Sequence, residues 1–292
     1  MKIFKTLREF NDFRVSINKE DIGFVPTMGN LHKGHISLIE HSFLNNSITV
    51  VSIFVNPTQF GPNEDFAIYP RTLYKDCEEI HGLEMKLQRK DPEKEIIVFS
   101  PDSMNDVYPE GFSTKIIVSG VTDKLCGVKR PNHFEGVTIV VYKLFSLVNP
   151  KIAYFGKKDY QQFIVIKKMV RDLSLPVEIE SCPIIRAEDG LALSSRNQYL
   201  TPPEREKALI LPKTINASNY LFSKNSLKVA LEKFNSLKAD VMSKGKWEYL
   251  EVYDAESLEP VTEKTISFLI AGAYQSTAAR LIDNTVVKNN YV

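Results

Sequence analysis

The chain of 292 residues contains only three cysteines: Cys77, Cys126 and Cys182. An odd, widely spaced set with no Cys-x-x-Cys pair excludes a disulfide scaffold and a cysteine zinc site, and it points to a reducing cytoplasm. An excess of charge of one sign is also lacking. Lys+Arg number 37 and Asp+Glu 36, for a net charge of +1, so the chain has no electrostatic footprint of a non-specific nucleic-acid binder. No apolar run reaches the roughly 18 residues of a membrane span. The longest are Ile48–Val55 and Ile139–Val148, and Lys143 interrupts the second. The stretch from Met1 to Asn11 has no signal-peptide core, and there are no internal repeats. The remainder, 43% hydrophobic and 25% charged, is that of a globular protein with one large domain or two ordinary ones.

The first two-thirds alternate short β-branched runs with helical periodicity. Strands are expected at Ile22–Pro26, Ile48–Val55, Glu95–Phe99, Lys151–Phe155 and Val177–Ile185. Helices are expected at His35–Leu44, Leu73–Leu87, Phe134–Val148 and Tyr160–Leu173, the third apolar nearly all round and therefore buried. This alternation predicts an α/β fold: a Rossmann-like parallel sheet with helices on both faces, whose strand ends bind the ligand. After Ile185 the character changes. Thr201-Pro202-Pro203-Glu204 is a strong helix start, Leu227–Met242 reads as helix, and Trp247–Tyr253, Ile266–Ala271 and Ala278–Ile282 read as strands. The expected organisation is therefore residues 1–185 as a nucleotide-binding domain and 186–292 as a smaller C-terminal α+β lid domain.

Four segments carry chemistry. Pro26-Thr27-Met28-Gly29-Asn30-Leu31-His32-Lys33-Gly34-His35 leaves a strand and enters a helix, the position where backbone amides and the helix dipole attract an anion. His32 and His35 lie one turn apart, and a neutral imidazole there can donate to a phosphate. Gly156-Lys157-Lys158-Asp159 again follows a strand and offers a phosphate counter-charge. Leu193-Ser194-Ser195-Arg196-Asn197, after Asp189-Gly190, combines hydroxyls with a guanidinium fork. Asn56-Pro57-Thr58-Gln59-Phe60 ends a strand with an amide that both donates and accepts, and Gln162 sits one turn into a later helix. Taken singly, the last three also suit a solvated lysine loop, an interdomain loop and an ordinary turn. The weight lies in their common place at strand ends or at the expected seam.

These residues resemble the pantothenate synthetase (pantoate–β-alanine ligase) family. The likeness continues through Phe54-Val55-Asn56-Pro57-x-Gln59-Phe60, Tyr69-Pro70-Arg71-Thr72 and Arg130-Pro131-x-His133-Phe134. It extends through Phe155-Gly156-x-Lys158-Asp159-Tyr160-Gln161-Gln162, Asp189-Gly190-Leu191-Ala192-Leu193-Ser194-Ser195-Arg196-Asn197 and Arg280-Leu281-Ile282-Asp283-Asn284. The resemblance implies ATP-dependent condensation of pantoate with β-alanine through pantoyl adenylate, with Mg²⁺ on the phosphates, in a homodimer. It implies ATP contacts from residues 26–35, Gly156, Lys157, Lys158, Asp159, Ile185, Leu193, Ser194, Ser195 and Arg196. Of these, His32, His35, Lys158, Ser194, Ser195 and Arg196 would be catalytic. Asn56, Gln59 and Gln162 would hold pantoate or β-alanine, Asp76 would be a metal ligand, and part of Phe60–Pro70 would be a lid. Lys157, Asn132 and Lys75 depart from the expected pattern, and His81–Lys94 reads as a surface insertion. A nucleotidyltransferase that keeps the nucleotide in its product is disfavoured by Gln59 and by the Ser-Ser-Arg loop. A non-catalytic nucleotide-binding module would lack the His, Lys and Arg groups, all of which are present. An aminoacyl-tRNA synthetase would need a basic RNA-binding extension.

Overall fold

A computed structural model describes residues 1–17, 21–62 and 64–290. Contacts divide them into two compact units that are not consecutive in sequence. One holds residues 1–119, 130–156 and 165–183; the other holds 120–129, 157–164 and 184–292, rather than the two meeting at one cut after Ile185. No helix among the described residues is long and apolar enough to cross a membrane.

The first unit is built on six strands: β1 (Lys2–Phe4), β2 (Ile22–Thr27), β3 (Ile48–Ile53), β4 (Glu95–Phe99), β5 (Ile152–Gly156) and β6 (Glu178–Cys182). All pair in parallel, in the order β1-β4-β3-β2-β5-β6. Helices α1 (Leu7–Ser16), α2 (Lys33–Asn45), α3 (Leu73–Leu87) and the one-turn α4 (Met104–Val107) connect the earlier strands. The short turn α5 (Cys126–Lys129) belongs to the second unit, α6 (His133–Val148) to the first, and α7 (Tyr160–Asp172), after β5, starts in the second unit and continues in the first. The chain builds outward from β2 through β3 to β4, then returns to the opposite side of β2 for β5. That reversal falls at the carboxyl ends of β2 and β5, the kind of position where open α/β sheets bind ligands.

The sheet is covered on both faces, as every residue of β3 is buried. Val25, Val51, Ile53, Ile96 and Val98 pack with Leu38, Ile39 and Phe43 of α2 and with Ile80, Leu83 and Leu87 of α3. On the alternate residues, Phe24 meets Phe145 of α6 and Phe99 meets Phe10 of α1. The region expected as an insertion, His81–Lys94, is instead the second half of α3 and its turn into β4. Leu83, Glu84 and Leu87 are buried, and the Glu84 carboxylate accepts the Ile96 N–H at 2.9 Å. Its face follows the helical period of α3, so it belongs to the core. Two expected strands are displaced, and one is shorter. Pro183 lies just past the end of β6, and Ser276 organises a turn by accepting from the N–H groups of Ala278 and Ala279.

In the second unit, β7 (Trp247–Asp254), β8 (Ser267–Gln275) and β9 (Arg280–Lys288) form an antiparallel sheet, with α8 (Pro202–Ala208), α9 (Ile210–Lys224) and α10 (Leu227–Lys244). Leu211, Ile215 and Phe222 of α9 and Phe234 of α10 share one core with Trp247, Leu250, Phe268, Ile270, Leu281 and Val287. At the start of α8, the Glu204 carboxylate accepts from the Thr201 N–H at 3.0 Å and from its hydroxyl at 2.8 Å, which stabilises the helix start read from sequence. The short edge strand β1, with α1, and the helix α9 are not among the elements expected from periodicity.

Candidate active site

At the carboxyl end of β2, the Thr27 hydroxyl donates to the Ser52 carbonyl at 2.7 Å and accepts from the Gly29 N–H at 3.2 Å. Gly29 and Asn30 are consecutive left-handed residues, with φ of 81° and 49°. That bend aims two amides at Asp76 of α3. Its carboxylate accepts from Asn30 N–H at 2.9 Å, Leu31 N–H at 2.8 Å and the Thr72 hydroxyl at 3.1 Å. A Cβ on Gly29 would lie 3.0 Å from Asp76 Oδ2, so the turn requires glycine both for its φ and for its closeness. Asp76 is therefore corrected from metal ligand to loop clamp: it is 1% exposed, and both of its oxygens hold the chain. Among the described residues no group of three or more His, Cys, Asp or Glu side chains could hold a metal ion.

His32 caps α2. Its Nδ1 accepts the Gly34 N–H at 3.1 Å. An accepting nitrogen carries no proton, so the neutral ring holds its proton on Nε2. The His35 ring stacks on it, with centroids 4.1 Å apart and planes 26° from parallel. Several amides of this loop are thus already occupied, by Asp76 and by His32 itself.

After β3, Pro57–Gln59 forms a short 3₁₀ turn. Asn56 Nδ2 donates to the Gly136 carbonyl at 3.0 Å and to Gln59 Oε1 at 3.2 Å. Asn56 Oδ1 accepts from Thr58 N–H, from the Thr58 hydroxyl and, at 2.9 Å, from the Tyr108 hydroxyl. Burial pushes the Tyr108 phenol above its ordinary range, which keeps it a donor. All of Asn56's hydrogen-bonding capacity is occupied, and the side chain is buried. Asn56 is thus corrected from substrate contact to turn anchor. Gln59 Nε2 lies 2.7 Å from Met28 Sδ, so the chain just past β2 and the turn after β3 meet there. The turn lies against α6 so closely that a Cβ on Gly136 would fall 2.2 Å from the Thr58 carbonyl oxygen.

Two residues given no role from sequence complete this edge. Arg130 donates to the Glu64 carboxylate through Nε at 2.7 Å and Nη2 at 2.5 Å, and to His133 Nε2 at 2.9 Å. Burial works against the Glu64 charge, but the Arg130 hydrogen bond and positive charge outweigh it and hold the carboxyl below its ordinary range. Only the presence of both residues in one short segment, Arg130-Pro131-x-His133, hints at this in the sequence.

In the second unit, Lys157–Asp159 forms a 3₁₀ turn. Asn284 of β9 donates to the Lys157 carbonyl at 2.9 Å and to the Lys158 carbonyl at 2.8 Å. Lys158 Nζ lies 3.6 Å from the Asp159 carboxylate. Gln161 is buried and fully engaged, by the Cys126 N–H and the Val121 and Lys124 carbonyls. Its neighbour Gln162 is half-buried. Residues 185–197 are ordered by pairing: Leu193 N–H reaches the Ile185 carbonyl at 2.9 Å. Arg186 grips the buried Asp283 carboxylate with two bonds of 2.7 and 2.9 Å. Ser194 caps the turn Ser195–Tyr199 by accepting the Arg196 N–H. Asp283 and Asn284, adjacent in β9, thus hold two candidate loops at once.

A family model for pantoate-β-alanine ligase matches residues 2–286. The chain is 47% identical over 275 residues to a pantothenate synthetase of Acetivibrio thermocellus, covering 91% of this chain and 92% of that one. It is 45% identical to that of Thermotoga neapolitana over 294 residues, 98% of this chain and all of the relative. The structure superposes on pantothenate synthetase from Thermus thermophilus with a TM-score of 0.86 at 39% identity, over 98% of this chain and 99% of that one. It matches pantoate-β-alanine ligase from Francisella tularensis, complexed with β-γ ATP and β-alanine, with a TM-score of 0.74 at 35% identity, over 98% and 97% of the two chains.

Proposed function

Because the chain belongs to the pantoate–β-alanine ligase family and is a ligase, we propose that it condenses pantoate with β-alanine in two half-reactions at the carboxyl end of β2. In the first, a pantoate carboxylate oxygen attacks the α-phosphorus of ATP, and the bond to the β-phosphate oxygen breaks, leaving pantoyl adenylate and pyrophosphate. In the second, the β-alanine amine attacks the acyl carbon; the bond to the AMP oxygen breaks, and the amine loses a proton. A carboxylate is already nucleophilic, so this chemistry needs positioning and charge stabilisation rather than an activated side chain.

The observation that carries this reading is the histidine pair. With Nδ1 of His32 accepting from Gly34, its remaining N–H is a neutral donor at a helix start, suited to the phosphate oxygens of a nucleotide. His35, stacked against it, acts with it. Residues 26–31 and Lys33 form the surrounding loop. Gly156, Lys157, Lys158, Asp159, Ile185, Leu193, Ser194, Ser195 and Arg196 contribute to ATP, and Lys158, the two serines and Arg196 act on its phosphates. Gln59 and Gln162 engage the hydroxyl and carboxylate groups of pantoate. Mg²⁺ arrives with ATP, held by the phosphates, a reading supported by the occupied carboxylate of Asp76. The sparse cysteines support the cytoplasm as its location, and the family resemblance supports a homodimer. Sedimentation of the purified protein tests the homodimer.

The deciding experiment omits ATP·Mg²⁺, pantoate or β-alanine in turn and measures AMP and pyrophosphate. Pyrophosphate is expected with ATP and pantoate alone, at least as a single turnover. Pyrophosphate that forms only when β-alanine is also present rules out the adenylate. A product that retains the nucleotide makes the protein a nucleotidyltransferase instead.

A further inference from the structure

The Gln59 carbonyl is held by an unusual set of donors. His133 Nδ1 lies 2.7 Å from it and Arg130 Nη2 3.3 Å. The ring's other nitrogen, Nε2, faces Arg130 Nη1 at 2.9 Å. Arginine can only donate and a carbonyl can only accept. The imidazole between them must therefore be neutral, with its proton on Nδ1. The guanidinium engages Glu64 through Nε and Nη2, so all three of its nitrogens are in use. Its plane is fixed by a two-point carboxylate grip, the arrangement in which guanidinium geometry is most rigid.

We propose that Arg130 and His133 are positioning residues that set Gln59 for the carboxylic-acid substrate. The proposal rests on the reading above that Gln59 engages pantoate. The turn Pro57–Gln59 is fixed at its start by Asn56, through the Thr58 N–H and hydroxyl. It is packed from beneath by Gly136, and its last carbonyl is captured by the histidine and the arginine. With the peptide plane after Gln59 held, the side-chain amide, whose Oε1 accepts from Asn56 Nδ2 and whose Nε2 lies 2.7 Å from Met28 Sδ, is set in one position. A small misplacement of a substrate-positioning group is enough to cost a large factor in rate or binding. Neither residue needs to touch substrate for its loss to be felt there.

Four variants and one spectrum test this. His133→Ala should raise KM for pantoate about tenfold and leave KM for ATP within about twofold, the pattern of a lost ground-state contact to one substrate. His133→Asn places an amide nitrogen near the position of Nδ1, able to donate to the same carbonyl, and should recover most of that loss. Arg130→Lys, with one nitrogen for three partners, should resemble His133→Ala. Glu64→Gln, which keeps an acceptor but not the charge, should fall between. In long-range ¹⁵N–¹H correlation spectra of the full-length protein, His133 should show the Nδ1–H tautomer. Equal increases in both KM values for His133→Ala, no rescue by asparagine, or an Nε2–H tautomer would each overturn the proposal. A wild-type protein that releases no pyrophosphate from ATP and pantoate overturns the proposed function, and this inference with it. Active wild type with an unchanged His133→Ala overturns the inference alone.

Discussion

Two loops, one in each unit, are held by the same device with opposite polarity. In the loop after β2, the buried Asp76 accepts from the amides of Asn30 and Leu31. In the turn after β5, the buried Asn284 donates to the carbonyls of Lys157 and Lys158. Each clamp comes from a distant element and makes two bonds to consecutive backbone groups. The difference lies in what each loop has left to offer. Asp76 brings negative charge and occupies the Asn30 and Leu31 amides, so these two N–H groups are closed to any other acceptor. Asn284 brings no charge and occupies the Lys157 and Lys158 carbonyl oxygens, leaving the lysine side chains outside the clamp. A clamp thus selects which backbone groups a site can still use.

The largest expected effect lies in the first loop. His35→Ala should slow pyrophosphate release by about 10²-fold, the scale for removing one preorganised donor, and the thermal midpoint should hardly move. Wild-type activity in that variant would make the pair structural and dissolve the comparison. Next is the second loop, where Asn284 treats both lysine carbonyls alike. Any difference between the two residues must therefore come from their side chains. Lys158→Ala should cost well over about tenfold in adenylation and Lys157→Ala less than about tenfold; equal losses would show that the turn is read wrongly.

The clamps themselves should give smaller, stability-level effects. Asp76→Asn turns an NH₂ group toward a backbone N–H, and Asn284→Asp turns a carboxylate toward two carbonyls. Each should destabilise by about 1–3 kcal/mol, the cost of leaving a buried polar group wrongly partnered, as measured by denaturant midpoints. Should either variant be as stable as wild type, the corresponding clamp is not holding its loop.

The smallest effect concerns pH. Glu64 is held below its ordinary carboxyl range because the Arg130 hydrogen bond and charge outweigh the opposing effect of burial. A carboxyl whose folded value is depressed contributes stability that is fully present above its unfolded value. That contribution is lost as pH falls through the folded one. Wild type and Glu64→Gln should therefore differ in thermal midpoint at neutral pH and converge below about pH 4, under the ordinary glutamate value. A gap that persists at low pH would assign the loss to packing rather than to charge.

Much of the fold is legible in the sequence because its signals are local. The run Ile48–Ile53 is buried at every position and reads as a central strand of a parallel sheet. Leu73–Leu87 carries its apolar stripe at helical spacing, and the Thr201 start of α8 is written in adjacent residues. The edge strand β1 is not legible because three residues are too few to show a period. The extents of β8 and β9 differ from expectation because a hairpin turn at residues 276–279 contains no glycine or proline. His81–Lys94 resembles an insertion in its length, yet its buried face continues the same helix.

Residue types, their spacing and the strand-to-helix context are properties of neighbouring residues, and these the chain alone determined: the α/β class, the histidine pair at a strand end, and the polar segments that follow the strands. Which polar groups remain available to a ligand was decided only in three dimensions. Asn56, Gln59, Gln161 and Gln162 carry the same amide chemistry and are equally plausible contacts in a string of letters. In the folded chain Asn56 is closed off by Gly136, 80 residues away, and Gln161 by Cys126, 35 residues away. Asp76 is turned from a candidate ligand into a clamp by a loop 46 residues before it. A hydrogen-bonding group has a fixed number of donors and acceptors, and at Asn56, Gln161 and Asp76 partners distant in sequence fill them, which no string of neighbouring residues reveals.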